Sequence, residues 1–263
     1  MADLPQSGPT LDRLVRITIG GDLAVSTESA GTVSPDGDPH WNNVHILVNG
    51  GVVKDESSFQ HSYTLLNNSS GMSPTVITDD PDFPYGCIEF GNGNGNIQFN
   101  ASDLYSGADD WTFEFDYKTI GKLSPFPCVA CYGTGILNQY LANDAAYLDN
   151  HNLIPGNCAC EFAGVFPVFE TTAGFEICRN IAMVCSSVGG SRTLTLYIDG
   201  EFIGSTTTNA LFSTGLQFAL ANDSLGLPQG AAFVRLARVR LTLGVARYSA
   251  PFIWDRRPYP THG

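Results

Sequence analysis

The sequence predicts an all-β protein built as a two-sheet antiparallel sandwich with an extended N-terminal arm. Three observations carry this reading. Trp111, Phe113, Phe115 and Tyr117 alternate with Thr112, Glu114 and Asp116, the period of a strand that is apolar on one face. Asp199-Gly200 stands between the strand-like runs Thr193–Ile198 and Glu201–Gly204, a strong local hairpin signal. The composition, with 28 Gly, 15 Pro and only 15% charged residues over 263 positions, suits many strands joined by shaped turns.

In chain order, residues 1–40 read as an arm or attachment region and 41–263 as the sandwich domain. Pro5, Gly8 and Pro9 open the arm, and Leu14–Ile19 is its one short alternating strand. Leu14, Val15, Ile17 and Ile19 are therefore the candidate contacts of the arm, with a neighbouring chain or with an edge of its own sheet. Ser34–Pro39 closes the region as a turn-rich linker. From Trp41 onward, strands are expected at Val44–Val48, Gly86–Phe90 and Ile97–Phe99. The Asn-Gly run before the last is a turn, because Gly and Asn adopt left-handed backbone at low cost.

Residues 120–175 are the least regular part, interrupted by Pro125, Pro127, Pro155 and Pro167, and Ile136–Leu148 fits either a short helix or a strand. Strands return at Gly174–Cys185, at the hairpin and at Leu216–Leu220. Ala232–Leu241 is strand-like but mixed on both faces. The segment holding Pro251, Pro258 and Pro260 is too proline-rich for a sheet interior and is expected across the outside of the sandwich.

Charge narrows the function. The formal net charge is -13, with Lys54, Lys118 and Lys122 the only lysines. Arg235, Arg238, Arg240, Arg247, Arg256 and Arg257 are the nearest approach to a basic cluster and read as a solvated strand face with acidic neighbours. Neither nucleic-acid binding nor insertion into a membrane is expected. The first residues lack the charged start and apolar core of a secretory signal, so synthesis in a reducing cytosol is expected.

Seven cysteines are an odd number for an oxidised scaffold. Cys128, Cys131, Cys158 and Cys160 could give four thiolates to zinc, but their apolar surroundings favour buried free thiols; a disulfide is the third reading.

No hydrolase elbow, metalloprotease helix or dinucleotide fingerprint is present, so an enzyme is not expected, nor is a cofactor. Glu114 and Asp116 share a strand face as a carboxylate pair, and the alternation reads them as solvent-facing rather than catalytic. His40, His45, His61, His151 and His262 show no metal spacing.

Three segments resemble the concanavalin-A-like, laminin-G-type jelly-roll domains found in many phage structural proteins. They are Asp110-Trp-Thr-Phe-Glu-Phe115, the hairpin Leu196-Tyr-Ile-Asp-Gly-Glu-Phe-Ile-Gly-Ser205, and the closing Val239-Arg-Leu-Thr-Leu-Gly-Val-Ala-Arg-Tyr248 with Phe252 and Pro258-Tyr-Pro260. The resemblance covers about residues 41 to 260. It departs where the family has a tryptophan–histidine pair and this chain has Ile177 and Cys178.

The resemblance implies a virion structural protein, assembled in the host cytoplasm and displayed on the virion surface. Within that class it implies a capsid decoration protein that contacts the major capsid protein or other virion proteins, as a homo-oligomer. The alternative is a tail or receptor-binding component that binds host-surface glycans, with Tyr132, Tyr140, Tyr147 and Trp254 as candidate sugar-stacking rings. Calcium-binding members use rim-loop carboxylates, and Asp103, Asp109 and Asp110 are the nearest equivalents; solvated loop acids are the favoured reading.

Overall fold

Strands that turn alternate side chains into one shared core generate the architecture of the computed structural model. Residues 37–66, 73–91, 96–100, 110–120, 178–208, 218–220 and 234–263 are described with their surroundings, and 128–132, 137–141, 157–162 and 168–170 by their backbone path.

After a 3-10 turn at Trp41–Asn43, the described residues form fifteen strands. They are β1 (Val44–Val48), β2 (Tyr63–Leu66), β3 (Thr75–Ile77), β4 (Cys87–Phe90), β5 (Asn96–Phe99), β6 (Trp111–Thr119), β7 (Cys128–Tyr132) and β8 (Leu137–Leu141). Then follow β9 (Asn157–Phe162), β10 (Val168–Glu170), β11 (Arg179–Val188), β12 (Ser191–Ile198), β13 (Glu201–Thr208), β14 (Phe218–Leu220) and β15 (Val234–Leu243).

All pairings are antiparallel. One sheet runs β13-β12-β11-β6-β15-β4-β3, with β1 also on β15, and the other runs β10-β9-β8-β7-β14-β5-β2. The two-sheet sandwich expected from the alternation is therefore present. The segment left open between helix and strand contains strand β8, paired with β7 and β9. The arm, including Leu14, Val15, Ile17 and Ile19, lies outside the described residues.

The core sits between the sheets. Trp111, Phe113, Phe115 and Tyr117 of β6 are at most 1% exposed and meet Ile97, Phe99, Phe218 and Leu220 of the second sheet. Phe113 packs edge-on against Phe218 with ring centres 5.6 Å apart, a favourable aromatic geometry.

The mixed pattern of β15 has a local cause. Val234 and Leu236 face the core, and so do Val239, Leu241 and Leu243, so the alternation slips by one residue between them. The slip is a β-bulge at Ala237–Arg238: the register to β6 shifts there, and Arg238 has φ of 50°. Before the bulge β15 pairs with β4, and after it with β1, while β6 runs along its other edge throughout. The bulge keeps Arg235, Arg238 and Arg240 all on the face away from the core.

That face is covered. Residues 244–263 cross it as a strap, as the prolines required, and pack Ala246, Tyr248 and Phe252 on Ala182, Val184 and Tyr197. Trp254 packs near Phe83, Cys87, Cys178 and Ala237. The hairpin turn holds the strap in place: the Phe252 amide donates to the Gly200 carbonyl at 2.9 Å. Gly200 has φ of +81°, and a Cβ there would lie 1.9 Å from the Phe252 carbonyl oxygen, so only glycine fits.

Candidate functional site

Between strap and sheet lies a recess of about 240 Å³. Its floor is the outward face of β6, β11 and β15, through Glu114, Asn180, Arg238 and Arg240. Its walls come from the strap (Arg247, Tyr248, Phe252 to Asp255, Tyr259 and Pro260) and from Gly37 to His40.

Here the structure corrects the sequence reading of the carboxylate pair. Glu114 and Asp116 lie on the face predicted, but they are 1% and 3% exposed rather than solvated, because the strap covers them. Arg238 and Arg240, expected on a solvated face, are 5% and 6% exposed. Arg235 matches the expected acidic surroundings, pairing with Asp80 and Glu89 at the partly open edge.

Buried charge requires pairing, and the pairing is extensive. Arg240 donates through Nε and Nη2 to Glu114 Oε1 at 2.8 and 2.7 Å. The hydroxyls of Tyr248 and Tyr259 donate to Glu114 Oε2 at 2.8 and 3.0 Å. Arg240 Nη1 also reaches Asp38 Oδ2 at 3.0 Å, and Arg247 grips both Asp38 oxygens at 3.1 and 2.9 Å. The Arg240 guanidinium lies 3.6 Å from the centre of the Tyr259 ring. Asp38, placed by sequence in the linker, is thus a buried member of the site.

A second group surrounds Asp116. Arg238 Nε pairs with its Oδ2 at 2.8 Å, and Asn180 Nδ2 and Trp254 Nε1 donate to Oδ1 at 2.9 and 3.1 Å. Arg238 Nη1 donates to the Arg257 carbonyl, and Arg256 stacks over the Trp254 ring at 4.4 Å. Asn49 seals the strap, exchanging two hydrogen bonds with the Tyr259 backbone.

The electrostatics follow. Burial alone would raise Glu114, but Arg240, Arg247 and the Tyr248 hydroxyl outweigh it and hold the carboxyl below its ordinary range. Asp38 is likewise lowered against its burial, by Arg247 and Arg240. For Asp116 burial outweighs Arg238, Asn180 and Trp254, and its pKa is pushed up to about 6. Burial and Glu114 raise both tyrosine hydroxyls, keeping them protonated as donors. His40 is lowered by burial and by Arg247, so its ring is neutral at pH 7.

Of the sugar-stacking candidates, Trp254 is in the recess wall. Tyr132 and Tyr140 lie on β7 and β8, whose backbone path alone is described, and Tyr147 lies outside the described residues. Cys128 and Cys131 stand on β7, and Cys158 and Cys160 on β9, with β8 between. Cys87, Cys178 and Cys185 are buried. Asp103 and Asp109 lie outside the described residues. Asp110 accepts from the Ser187 amide and hydroxyl at 2.7 and 2.8 Å, tying the start of β6 to β11. Among the described residues no group of three or more His, Cys, Asp or Glu could hold a metal ion.

Sequence reasoning missed Tyr248 and Tyr259 as partners of Glu114, and Asp38 as the acid that Arg240 and Arg247 share. The available signal was three arginines on a strand facing away from the core, alongside two acids with the same orientation.

No family model matches the chain, and no curated protein matches it in sequence. Solved structures match in fold. The binding domain of botulinum neurotoxin DC, in complex with SialylT, aligns with TM-score 0.52 and 9% identity over 82% of this chain and 49% of its own. The botulinum neurotoxin serotype D binding domain gives 0.52 and 9% over 83% and 51%. Domain 4 of a GH43 extracellular arabinanase from Geobacillus stearothermophilus, in complex with arabinotriose, gives 0.55 and 12% over 77% and 93%. The chain thus spans about half the length of the toxin domains and most of the arabinanase domain. It is an antiparallel β-sandwich of the architecture these binding domains share.

Proposed function

We propose that this chain is a non-catalytic, glycan-binding β-sandwich module displayed on the surface of a phage particle. The observation that carries the glycan-binding reading is the fold match, over most of both chains, to an arabinanase domain solved with arabinotriose. Architecture alone hosts many functions. The state of the carboxylates adds to the reading: Glu114 is held ionised beneath the strap by Arg240 and two tyrosines, in a structural rather than a general-acid arrangement. A broad glycan array probed with the full chain tests this. Binding to a related set of glycans is expected, and silence across the array overturns it.

The virion setting is supported by the three segments that resemble phage structural domains. It implies assembly in the host cytoplasm, contact with the major capsid protein or other virion proteins, and a homo-oligomeric state. The capsid-decoration reading makes residues 1–40 the anchor of the sandwich on the particle. Deleting residues 1–36, which spares Asp38, is expected to abolish co-sedimentation with particles; undiminished attachment would sink the anchoring role.

A further inference from the structure

We propose that the recess beneath the strap binds one neutral sugar ring, with the Trp254 indole as its wall and Asn180 at its floor. The inference rests on the glycan-binding reading and gives it a location. At about 240 Å³ the recess falls below the roughly 300–1,000 Å³ of sites for larger ligands. That size suits a single ring, free or at the end of a glycan.

Charge pairing selects against ions. The lining carries Asp38, Glu114 and Asp255 against Arg238, Arg240 and Arg247, so the formal charges cancel. Each is already engaged: Asp38 and Glu114 with Arg240 and Arg247, Arg238 with Asp116, and Asp255 with Arg257. An ionic ligand would have to compete with these pairs, all buried except Asp255–Arg257, whereas hydroxyls add hydrogen bonds to groups that stay paired.

Recognition groups are also present. Asn180 is 1% exposed, and its Oδ1 is buried with no hydrogen-bond partner among the described residues, while its Nδ2 is fixed on Asp116. A hydroxyl pressed to the floor would supply the missing donor. The Nε1–Asp116 bond and Arg256 hold the Trp254 ring in place, so stacking would use the face turned away from Arg256. Ile253, 76% exposed, stands at the rim.

The test is a titration of the full chain followed through its three tryptophan indole N–H signals in two-dimensional NMR. Arabinose, glucose and galactose are the neutral probes, and glucuronate is the charged control. A saturable shift of the Trp254 signal is expected, with an unmoved signal from core Trp111 and a dissociation constant near millimolar for so small a ligand. Glucuronate should bind at least roughly tenfold more weakly, and Asn180→Ala should weaken the neutral sugar by about as much. Should Asn180→Ala fail to fold, the wild-type titration decides alone. A positive glycan array with a silent Trp254 overturns the recess assignment and leaves the glycan reading standing. Silence in both overturns both, and equal binding of glucuronate overturns the neutral class.

Discussion

Replacing Glu114 removes the carboxylate on which Arg240, Tyr248 and Tyr259 converge. In Glu114→Gln the side-chain volume is kept, but Arg240, 6% exposed, loses its main counter-charge and retains only Asp38, which it shares with Arg247. Breaking a buried pair from one side costs about 3–5 kcal/mol, because the surviving charge is stranded. At about 2–4 °C per kcal/mol for a domain of this size, the melting temperature should fall by roughly 6–20 °C. Urea unfolding followed by tryptophan fluorescence gives the free energy independently of heating. Removing both charges, as Glu114→Met with Arg240→Met, should recover part of the loss, since neither charge of the pair is stranded, while the Tyr248 and Tyr259 hydroxyls lose their acceptor and Asp38 keeps Arg247. A loss below about 1 kcal/mol for Glu114→Gln, or a double variant as unstable as the sum of its parts, would refute the account of the site as a coupled ionic lock.

Four further outcomes follow from the structure. Asp116 has a folded pKa of about 6 against an ordinary 3.8, so between those values the folded protein holds a proton that the unfolded chain has released. Stability from this group therefore falls as pH rises from about 4 to about 6, and Asp116→Asn should gain on wild type over that interval by on the order of 1–3 kcal/mol in pH-dependent urea unfolding; a constant difference would contradict it. Glu114, Asp38 and Asp55 are lowered and act oppositely: their contribution is present above about pH 4 and is lost on acidification through their folded values. Gly200→Ala should destabilise by about 2 kcal/mol or more and expose the strap to limited proteolysis, because its Cβ meets the Phe252 carbonyl; an unchanged digestion pattern would count against the clamp. Burial pushes the Cys87 and Cys178 thiols up to about 12, so iodoacetamide at pH 8 should leave both unmodified in the native protein and label them in urea, as read by peptide mass.

Much of the fold was legible because burial has a period of two. The four rings of β6 and the Asp199-Gly200 hairpin place three strands of one sheet, β6, β12 and β13. The site was less legible for a specific physical reason. Alternation says which side of a strand faces the core, not whether the other side meets water. Glu114 and Asp116 were assigned to the correct face, but residues 244–263 cover that face, and a strap without regular structure carries no period of its own. The bulge at Arg238 hid in the same way: one inserted residue makes both faces of β15 look mixed until its register is known. Asp38 reads locally as a turn residue, and its burial depends on Arg247, 209 positions away in sequence.

The position of β15 has a consequence for how the protein comes into being. This strand bridges β6, β4 and β1, yet it follows the other described strands in sequence, and the strap that shields its arginines comes after it. Until residues 234–263 have left the ribosome, β6 lacks one of its two neighbours and its acids face water without counter-ions. Productive folding of this sheet therefore waits for residues 234–263 and is dominated by distant contacts, which makes it slow. A nascent chain interrupted before residue 234 would lack the strand that joins β6 to β4 and β1, and with it the centre of that sheet.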